Sequence, residues 1–422
     1  MRKLAIALLF VLSSFVLRAE DAPKPVLKKG ARLAVVGDSI TEQKQYSRFI
    51  EDYLTACTPQ LELKIIQLGW GGETAGGFLN RMNNDLLPWK PDVVTTCYGM
   101  NDGGYGPFNE GVGKRYSVPM AEIIKRVKEA GGVFVVGGPG VVDSKTFRGG
   151  GEQAKVYNDN LSHLSEIAKK LAVENGFNFA DVFNTMYSAM EKSKAAYGEN
   201  YIVAGGDGVH PGPNGHLLMA YAFLKGMGLD GDIGTITIDM NGQSTATDGH
   251  KVLSSDKGKA EIESTRYPFC FFGKEKDANG TFSILPYVSF NQDLNRLTLI
   301  VKNLDGDKAK VQWGNDAKVF SKADLAKGIN LAEQFPVNNP FWPAFNALDG
   351  LVFKKQNFET MMIKQAITFF PAIVNALDKD AETTAAMEGV RKKLIEKHDK
   401  LQTEVRAGVV PVKHTITVTL EK

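Results

Sequence analysis

The sequence predicts an α/β protein in two parts: a doubly wound parallel sheet first, then a smaller antiparallel β module carrying a helical hairpin. Three observations predict this. From Ala31 to about Leu229 short apolar runs alternate with segments of helical spacing. Beyond Gly231 short strand-like runs follow one another across turn-forming sequences, and two long helical patterns then precede a last alternating strand. Strands that alternate with helices need crossover connections and pair in parallel, whereas strands joined by tight turns pair antiparallel.

In the first part, Leu33 to Val36 is an apolar run ending at Gly37, and Tyr46 to Ala56 has helical spacing. Leu63 to Leu68 is a second run, followed by the cluster Gly69, Gly71, Gly72, Gly76 and Gly77. Val93 to Tyr98 reads as a strand, Val118 to Glu129 as a helix and Val133 to Val136 as a strand. Lys155 to Asn175 reads as a long helix and Asn178 to Val182 as a strand. Runs this short and this apolar are buried on both faces, and right-handed crossovers then give helices on both sides of the sheet. Functional groups in such a sheet gather at the carboxyl ends of the strands, so the loops after Val36, Leu68 and Tyr98 are the places to look.

In the second part, Thr235-Ile236-Thr237-Ile238, Lys259 to Ser264, Phe282 to Leu285, Leu297 to Lys302 and Lys310 to Trp313 read as short strands. Turns such as Asp277-Ala278-Asn279-Gly280 separate them. Helical patterns follow at about Asn357 to Leu377 and Glu382 to Val405, with Pro371 kinking or breaking the first. His414 to Leu420 alternates Ile416, Val418 and Leu420 with threonines, a half-buried strand that returns to the β module. The hairpin, at about 357–407, is therefore read as an insertion within residues 231–422, after a sheet domain over 31–230.

The length of 422 residues allows two or three domains, and 43% apolar with 23% charged residues is ordinary globular usage. Fibrous and disordered classes are excluded. Residues 1–19 read as a secretory signal peptide: Arg2 and Lys3, an apolar run from Leu4 to Leu17 interrupted by Ser13 and Ser14, and Ala19 at the cut. The run is too short to span a bilayer as a helix, so cleavage is preferred over an uncleaved anchor. Residues 20–30 form a leader or linker. The expected location is periplasmic or extracellular. Cleavage would turn the formal charge of +2 into about −1, which gives no electrostatic reason for nucleic acid or an anionic membrane as partner. Cys57, Cys97 and Cys270 have the spacing of neither a metal site nor a compact disulfide framework, and a Cys57–Cys270 bridge is left open.

Four segments carry chemistry. Gly37-Asp38-Ser39-Ile40 sets a serine at the end of the first strand. Asp207-Gly208-Val209-His210-Pro211 offers an imidazole with a carboxylate to orient it, which is what a serine hydroxyl needs to become a nucleophile. Trp70-Gly71-Gly72-Glu73-Thr74 and Gly99-Met100-Asn101-Asp102 supply glycine amides and an asparagine amide, neutral donors suited to an oxyanion. Each is weak alone; together they sit at the ends of parallel strands, where the sheet would converge them.

In this order the four segments resemble the signature blocks of the SGNH hydrolase family, also called GDSL esterases and lipases, over roughly Arg32 to Leu229. The resemblance implies a flavodoxin-like α/β/α sandwich and two-step acyl transfer without metal or organic cofactor. It implies Ser39 as nucleophile, His210 as base and then acid, Asp207 as its orienting carboxylate, and the Ser39 and Gly72 amides with the Asn101 side chain as oxyanion hole. Ile40 stands where the family name has leucine, and the Gly-Gly register leaves Gly71 as an alternative donor. Trp70, Tyr98 and Tyr105 are candidate stacking surfaces for substrate. The expected substrate is a short-acyl ester on carbohydrate, as a small molecule or polysaccharide. The alternatives are longer acyl chains in lipase, lysophospholipase or thioester chemistry, or a non-enzymatic adaptor. The Met361, Met362, Phe369 and Phe370 stripe reads as core rather than a lid. The charged second helix leaves a homo-oligomer through the hairpin open.

Overall fold

A computed structural model describes residues 23–421. The segment read as a signal peptide lies outside the described residues.

Five strands, β1 (Arg32–Gly37), β2 (Lys64–Gly69), β3 (Val93–Cys97), β4 (Val133–Gly137) and β5 (Asn178–Ala180), form one parallel sheet in the order β2-β1-β3-β4-β5. This is the flavodoxin-like order. Side chains along β1 alternate between two apolar layers, because successive residues of a strand point to opposite faces. Leu33 and Val35 join one buried cluster; Ala34 and Val36 join the other with Ile66 and Leu68 of β2. The first layer takes in α2 (Tyr46–Ala56), α6 (Val182–Tyr197) and α7 (Pro213–Gly226), after the one-turn helix α1 (Ser39–Glu42). The second takes in α3 (Ala75–Asp85), α4 (Glu110–Glu129) and the end of α5 (Glu152–Glu174).

The remaining strands form two sheets. β6 (Asp232–Asp239), β7 (Thr245–Ala246), β10 (Arg296–Lys302) and β13 (Ile329–Asn330) lie in the order β13-β10-β6-β7. β8 (His250–Asp256), β9 (Lys259–Ser264), β11 (Lys308–Trp313), β12 (Asp316–Ser321) and β14 (Val412–Leu420) lie in the order β12-β11-β14-β9-β8. The second sheet is antiparallel throughout, but β6 and β10 pair in parallel, so the antiparallel expectation is corrected there. The chain makes that parallel pairing because β7, β8, β9 and α8 (Phe290–Leu294) intervene between β6 and β10. Phe282 to Leu285 is not a strand: its main chain turns into a 3₁₀ helix at Leu285–Tyr287, with Pro286 in its first turn. Two more short helices, α9 (Lys322–Lys327) and α10 (Leu331–Gln334), flank β13.

β14 lies between β11 and β9, so the chain leaves this sheet for its long helices and returns to its middle. Those helices are α11 (Trp342–Lys364), α12 (Phe370–Ala376) and α13 (Ala381–Ala407). The first begins well before the expected Asn357, since Pro343 sits in its first turn, where a missing N–H costs nothing. Pro371 does not kink a continuous helix; it stands in the first turn of α12, after a break. Of the expected core stripe, Met362 and Phe370 are buried with Ile363 and Ile367 in the second apolar layer, but Met361 is only half-buried and Phe369 is 53% exposed, so the expectation is corrected for those two.

The long helices also seal an exposed sheet edge. β2 is an edge strand, and its outward main-chain groups would otherwise go unpaired. Gln402 Oε1 accepts from Ile65 N–H at 2.9 Å, Glu359 Oε2 accepts from Gln67 N–H at 2.9 Å, and Lys355 Nζ donates to Ile65 O at 2.8 Å. Cys57, Cys97 and Cys270 are buried free thiols, so the open Cys57–Cys270 bridge is absent; burial pushes Cys270 up to about 12. No helix among the described residues is long and apolar enough to cross a membrane.

Candidate active site

The carboxyl ends of β1, β2 and β3 and the loop before α7 meet at one edge of the parallel sheet. Gly37 ends β1 where no larger residue fits: a Cβ there would lie 2.1 Å from Thr41 Oγ1 and 2.9 Å from Cys97 O. The chain therefore turns at once into α1. Asp38 caps that turn, its Oδ1 accepting from Ile40 N–H at 2.9 Å, and Ser39 is left half-buried with its hydroxyl towards the Asp207 loop.

Ser39 Oγ is 2.8 Å from His210 Nε2, and His210 Nδ1 is 2.6 Å from Asp207 Oδ2. A carboxylate only accepts, so Nδ1 carries the proton and Nε2 presents its lone pair to the Ser39 hydroxyl. The three-residue spacing has a physical basis. Asp207 Oδ1 accepts from the backbone N–H of both Val209 and His210, each at 2.9 Å, folding the loop over its own carboxylate. Partial burial works against the Asp207 charge, but the backbone and ring donors outweigh it and hold the carboxyl below its usual range.

Asn101 lies on the loop after β3. Its Nδ2 donates to Glu73 O at 3.0 Å, leaving that amide's second N–H for another acceptor, and its Oδ1 accepts from Tyr105 O–H at 2.8 Å. Asp102 cross-links the two loops: Oδ1 accepts from Ala75 N–H and Oδ2 from Gly99 N–H, both at 3.0 Å. Burial is the main cause that raises Asp102 to about 6. Burial likewise raises Asp38 to about 7, with Asp102 and Glu73 adding repulsion and the Ile40 N–H opposing it.

The two glycine candidates separate clearly. The Gly71 N–H is taken by Glu42 Oε2 at 2.5 Å, whereas the Gly72 N–H has no partner among the described residues. Gly72 has φ +73, a left-handed conformation that disfavours any side chain although no atom would crowd one. The structure thus joins Ser39, His210 and Asp207 in one hydrogen-bonded line and leaves the Gly72 N–H and one Asn101 N–H without a partner among the described residues, whereas the Gly71 N–H is engaged by Glu42.

Of the three aromatic candidates, Tyr98 is corrected. It is 1% exposed, stacks on Phe78 and donates to Glu73 Oε2 at 2.6 Å, so it belongs to the core beneath the site. Glu73 is itself gripped by Arg81 through two hydrogen bonds of 2.6 and 2.8 Å. Tyr105 is half-buried and bonded to Asn101, with Arg148 over its ring. Trp70 is half-buried beside the glycines. The sequence reading missed Glu42 and Lys364, whose link is visible only in three dimensions: Lys364 Nζ lies 2.6 Å from Glu42 Oε1. The cavities of 530 Å³ beside Tyr287 and 640 Å³ beside Arg266 share no residue with this site.

A hydroxyl, an imidazole and a carboxylate in one hydrogen-bonded line, with unpaired amide donors on the loops after neighbouring strands, can perform acyl transfer. Residues 35–218 match the model of the GDSL-like lipase/acylhydrolase family. That part of the chain belongs to the SGNH/GDSL hydrolases, and the protein is a carboxylic ester hydrolase of this type. An acetylxylan esterase of Geobacillus stearothermophilus is 22% identical over 231 residues, spanning 48% of this chain and 95% of that protein. A solved gut microbial diltiazem-metabolizing enzyme shares the fold over nearly the whole chain, with TM-score 0.73, 22% identity, and 95% of this chain and 100% of that one covered.

Proposed function

We propose that the protein is an exported serine esterase that removes short acyl groups, acetyl foremost, from carbohydrate by a Ser-His-Asp acyl-enzyme mechanism. The observation that carries this reading is the continuous line from Ser39 through His210 to Asp207, with contacts of 2.8 and 2.6 Å.

His210 Nε2 takes the Ser39 proton as the hydroxyl attacks the ester carbonyl, and Asp207 stabilises the imidazolium that forms. The Ser39 and Gly72 amides and Asn101 Nδ2 receive the developing oxyanion. His210 then returns the proton to the departing alcohol, and water repeats the sequence on the acyl-enzyme. Every group needed belongs to this chain.

The acetyl and carbohydrate assignment is supported by the acetylxylan esterase relative and by the open position of the site. Asp207 and His210 side chains are 55% and 32% accessible, which suits a residue on a polymer approached from bulk solvent. Met362 and Phe370, half of the apolar stripe that could have served a lipase as a lid, are buried in the core. Export rests on the N-terminal segment. The test is acyl release measured in parallel from acetylated xylan and from a long-chain fatty ester. Preferential acetate release is expected; preferential release of the fatty acid overturns the substrate assignment.

A further inference from the structure

We propose that the C-terminal helical insertion sets the geometry of the oxyanion loop through a Lys364–Glu42–Gly71 relay, making Glu42 and Lys364 positioning residues. The inference rests on the acyl-transfer reading above and adds to it two groups from outside the signature segments.

Glu42 is the last residue of α1, the one-turn helix that begins at Ser39. Both of its carboxylate oxygens are in use: Oε2 accepts the Gly71 N–H at 2.5 Å and Oε1 accepts from Lys364 Nζ at 2.6 Å. Lys364 is the last residue of α11, 322 positions away in sequence, where the helix carbonyl end favours a cation. Its ammonium also lies 4.9 Å from the centroid of the Trp70 ring. Lys364 therefore reaches residues 70 and 71 by two routes, directly over the indole, whose ring Arg81 also approaches at 5.0 Å, and through Glu42 to the Gly71 amide. Glu42 and Lys364 are 24% and 26% accessible, shielded enough for the pair to hold its geometry. Lys44 approaches the same residue from the other side, donating to Glu42 O at 2.8 Å, but it touches the main chain and not the carboxylate.

The consequence falls on Gly72. With the Gly71 amide tied to the helix that carries Ser39, the next amide along is held at a fixed distance from the nucleophile. An oxyanion donor acts through preorganisation, and a misplacement near 1 Å can cost roughly 10²-fold in rate. Lys364 touches no reacting atom; it acts through Glu42. The insertion thus contributes to turnover as well as to sealing the β2 edge.

The experiment measures kcat, KM and melting temperature on a small aryl acetate for Lys364→Ala, Lys364→Arg, Glu42→Leu and the Glu42→Leu/Lys364→Ala double variant. Lys364→Ala is expected to lower kcat roughly tenfold with KM within about twofold of wild type and the melting temperature nearly unchanged. Lys364→Arg should recover most of the rate, and Glu42→Leu should lose roughly 10- to 100-fold. The double variant should match Glu42→Leu alone, because a residue acting through another has nothing left to act on. Lys354→Ala, on the same helix as Lys364, removes a surface pair with Glu404 of α13 and should leave kcat unchanged. Wild-type kcat in Lys364→Ala, or losses that multiply in the double variant, overturns the relay. If Lys364→Ala does not fold, Glu42→Gln gives the same decision. It keeps an oxygen for the Gly71 amide and loses only the charge that Lys364 binds, so kcat should fall between wild type and Glu42→Leu, and wild-type kcat overturns the relay. An active Ser39→Ala enzyme would instead overturn the underlying acyl-transfer reading.

Discussion

Replacing Lys355 by methionine tests how firmly the long helices are joined to the parallel sheet. Lys355 is fully buried, and its ammonium lies 3.0 Å from Glu51 Oε1, in contact with Glu359 Oε1, and 2.8 Å from Ile65 O on β2. Burial alone would lower the lysine, but Glu359 and Glu51 outweigh it and raise it above its usual value. Glu359 is held below its usual range: burial opposes its charge, and Lys355 and His398 overcome that. Glu51 is raised, chiefly by burial. One ammonium thus serves two buried carboxylates. Removing it leaves Glu359 charged in the interior or forces it to protonate, and strips one acceptor of the β2 edge of its strongest donor. Breaking a buried pair in this way costs about 3–5 kcal/mol. At about 2–4 °C per kcal/mol for a domain of this size, the melting temperature should fall by roughly 6–20 °C. Thermal unfolding followed by circular dichroism at pH 7 measures it. The pH signs follow: the lowered Glu359 stabilises above its unfolded value of about 4.3 and loses this as pH falls through its folded value, whereas the raised Lys355 stabilises below about 10.4 and loses this as pH rises through its folded value. A loss under about 1 kcal/mol would refute the claim that this cluster seals the edge.

Two further outcomes concern the site. Tyr105→Phe removes the O–H that fixes Asn101 Oδ1, so kcat should fall about three- to tenfold while stability changes by about 1 kcal/mol; steady-state kinetics and denaturant titration check both. Asp38, raised to about 7, holds its proton in the folded state at pH values where the unfolded chain has released it, so it makes stability fall as pH rises between about 4 and 7. Asp38→Asn keeps an oxygen for the Ile40 N–H and removes that titration, so the loss of stability from pH 4 to 7 should shrink, by about 4 kcal/mol at the upper bound. Denaturant midpoints at several pH values decide it.

What was legible in the sequence was local. Ser39 follows a strand directly, and Asp207 and His210 belong to one self-folding turn, so neighbouring residues already carried their geometry. The parallel sheet was legible because its strands are short, apolar and separated by helices. What was not legible depends on partners far along the chain. The choice between Gly71 and Gly72 turns on Glu42 and Lys364. Tyr98 follows a strand end, where an exposed ring was plausible, yet Glu73 and Phe78 draw it inward. The extent of α11 was hidden because its single buried face carries Lys355, Gln356 and Glu359 while Phe353 on the other side is exposed, which blurs the apolar 3.6-residue period. The parallel pairing of β6 with β10 has no signal in either strand alone.

Ser39 acts in this reading as a nucleophile activated by His210. Labelling the folded protein with a fluorophosphonate, which forms a covalent bond only with an activated serine, tests it most directly, with the modified residue located by peptide mass. Stoichiometric label is expected on Ser39 in wild type, none in Ser39→Ala, and strongly slowed labelling in His210→Ala. A folded wild-type protein that takes up no label, or label located on another serine, would contradict it.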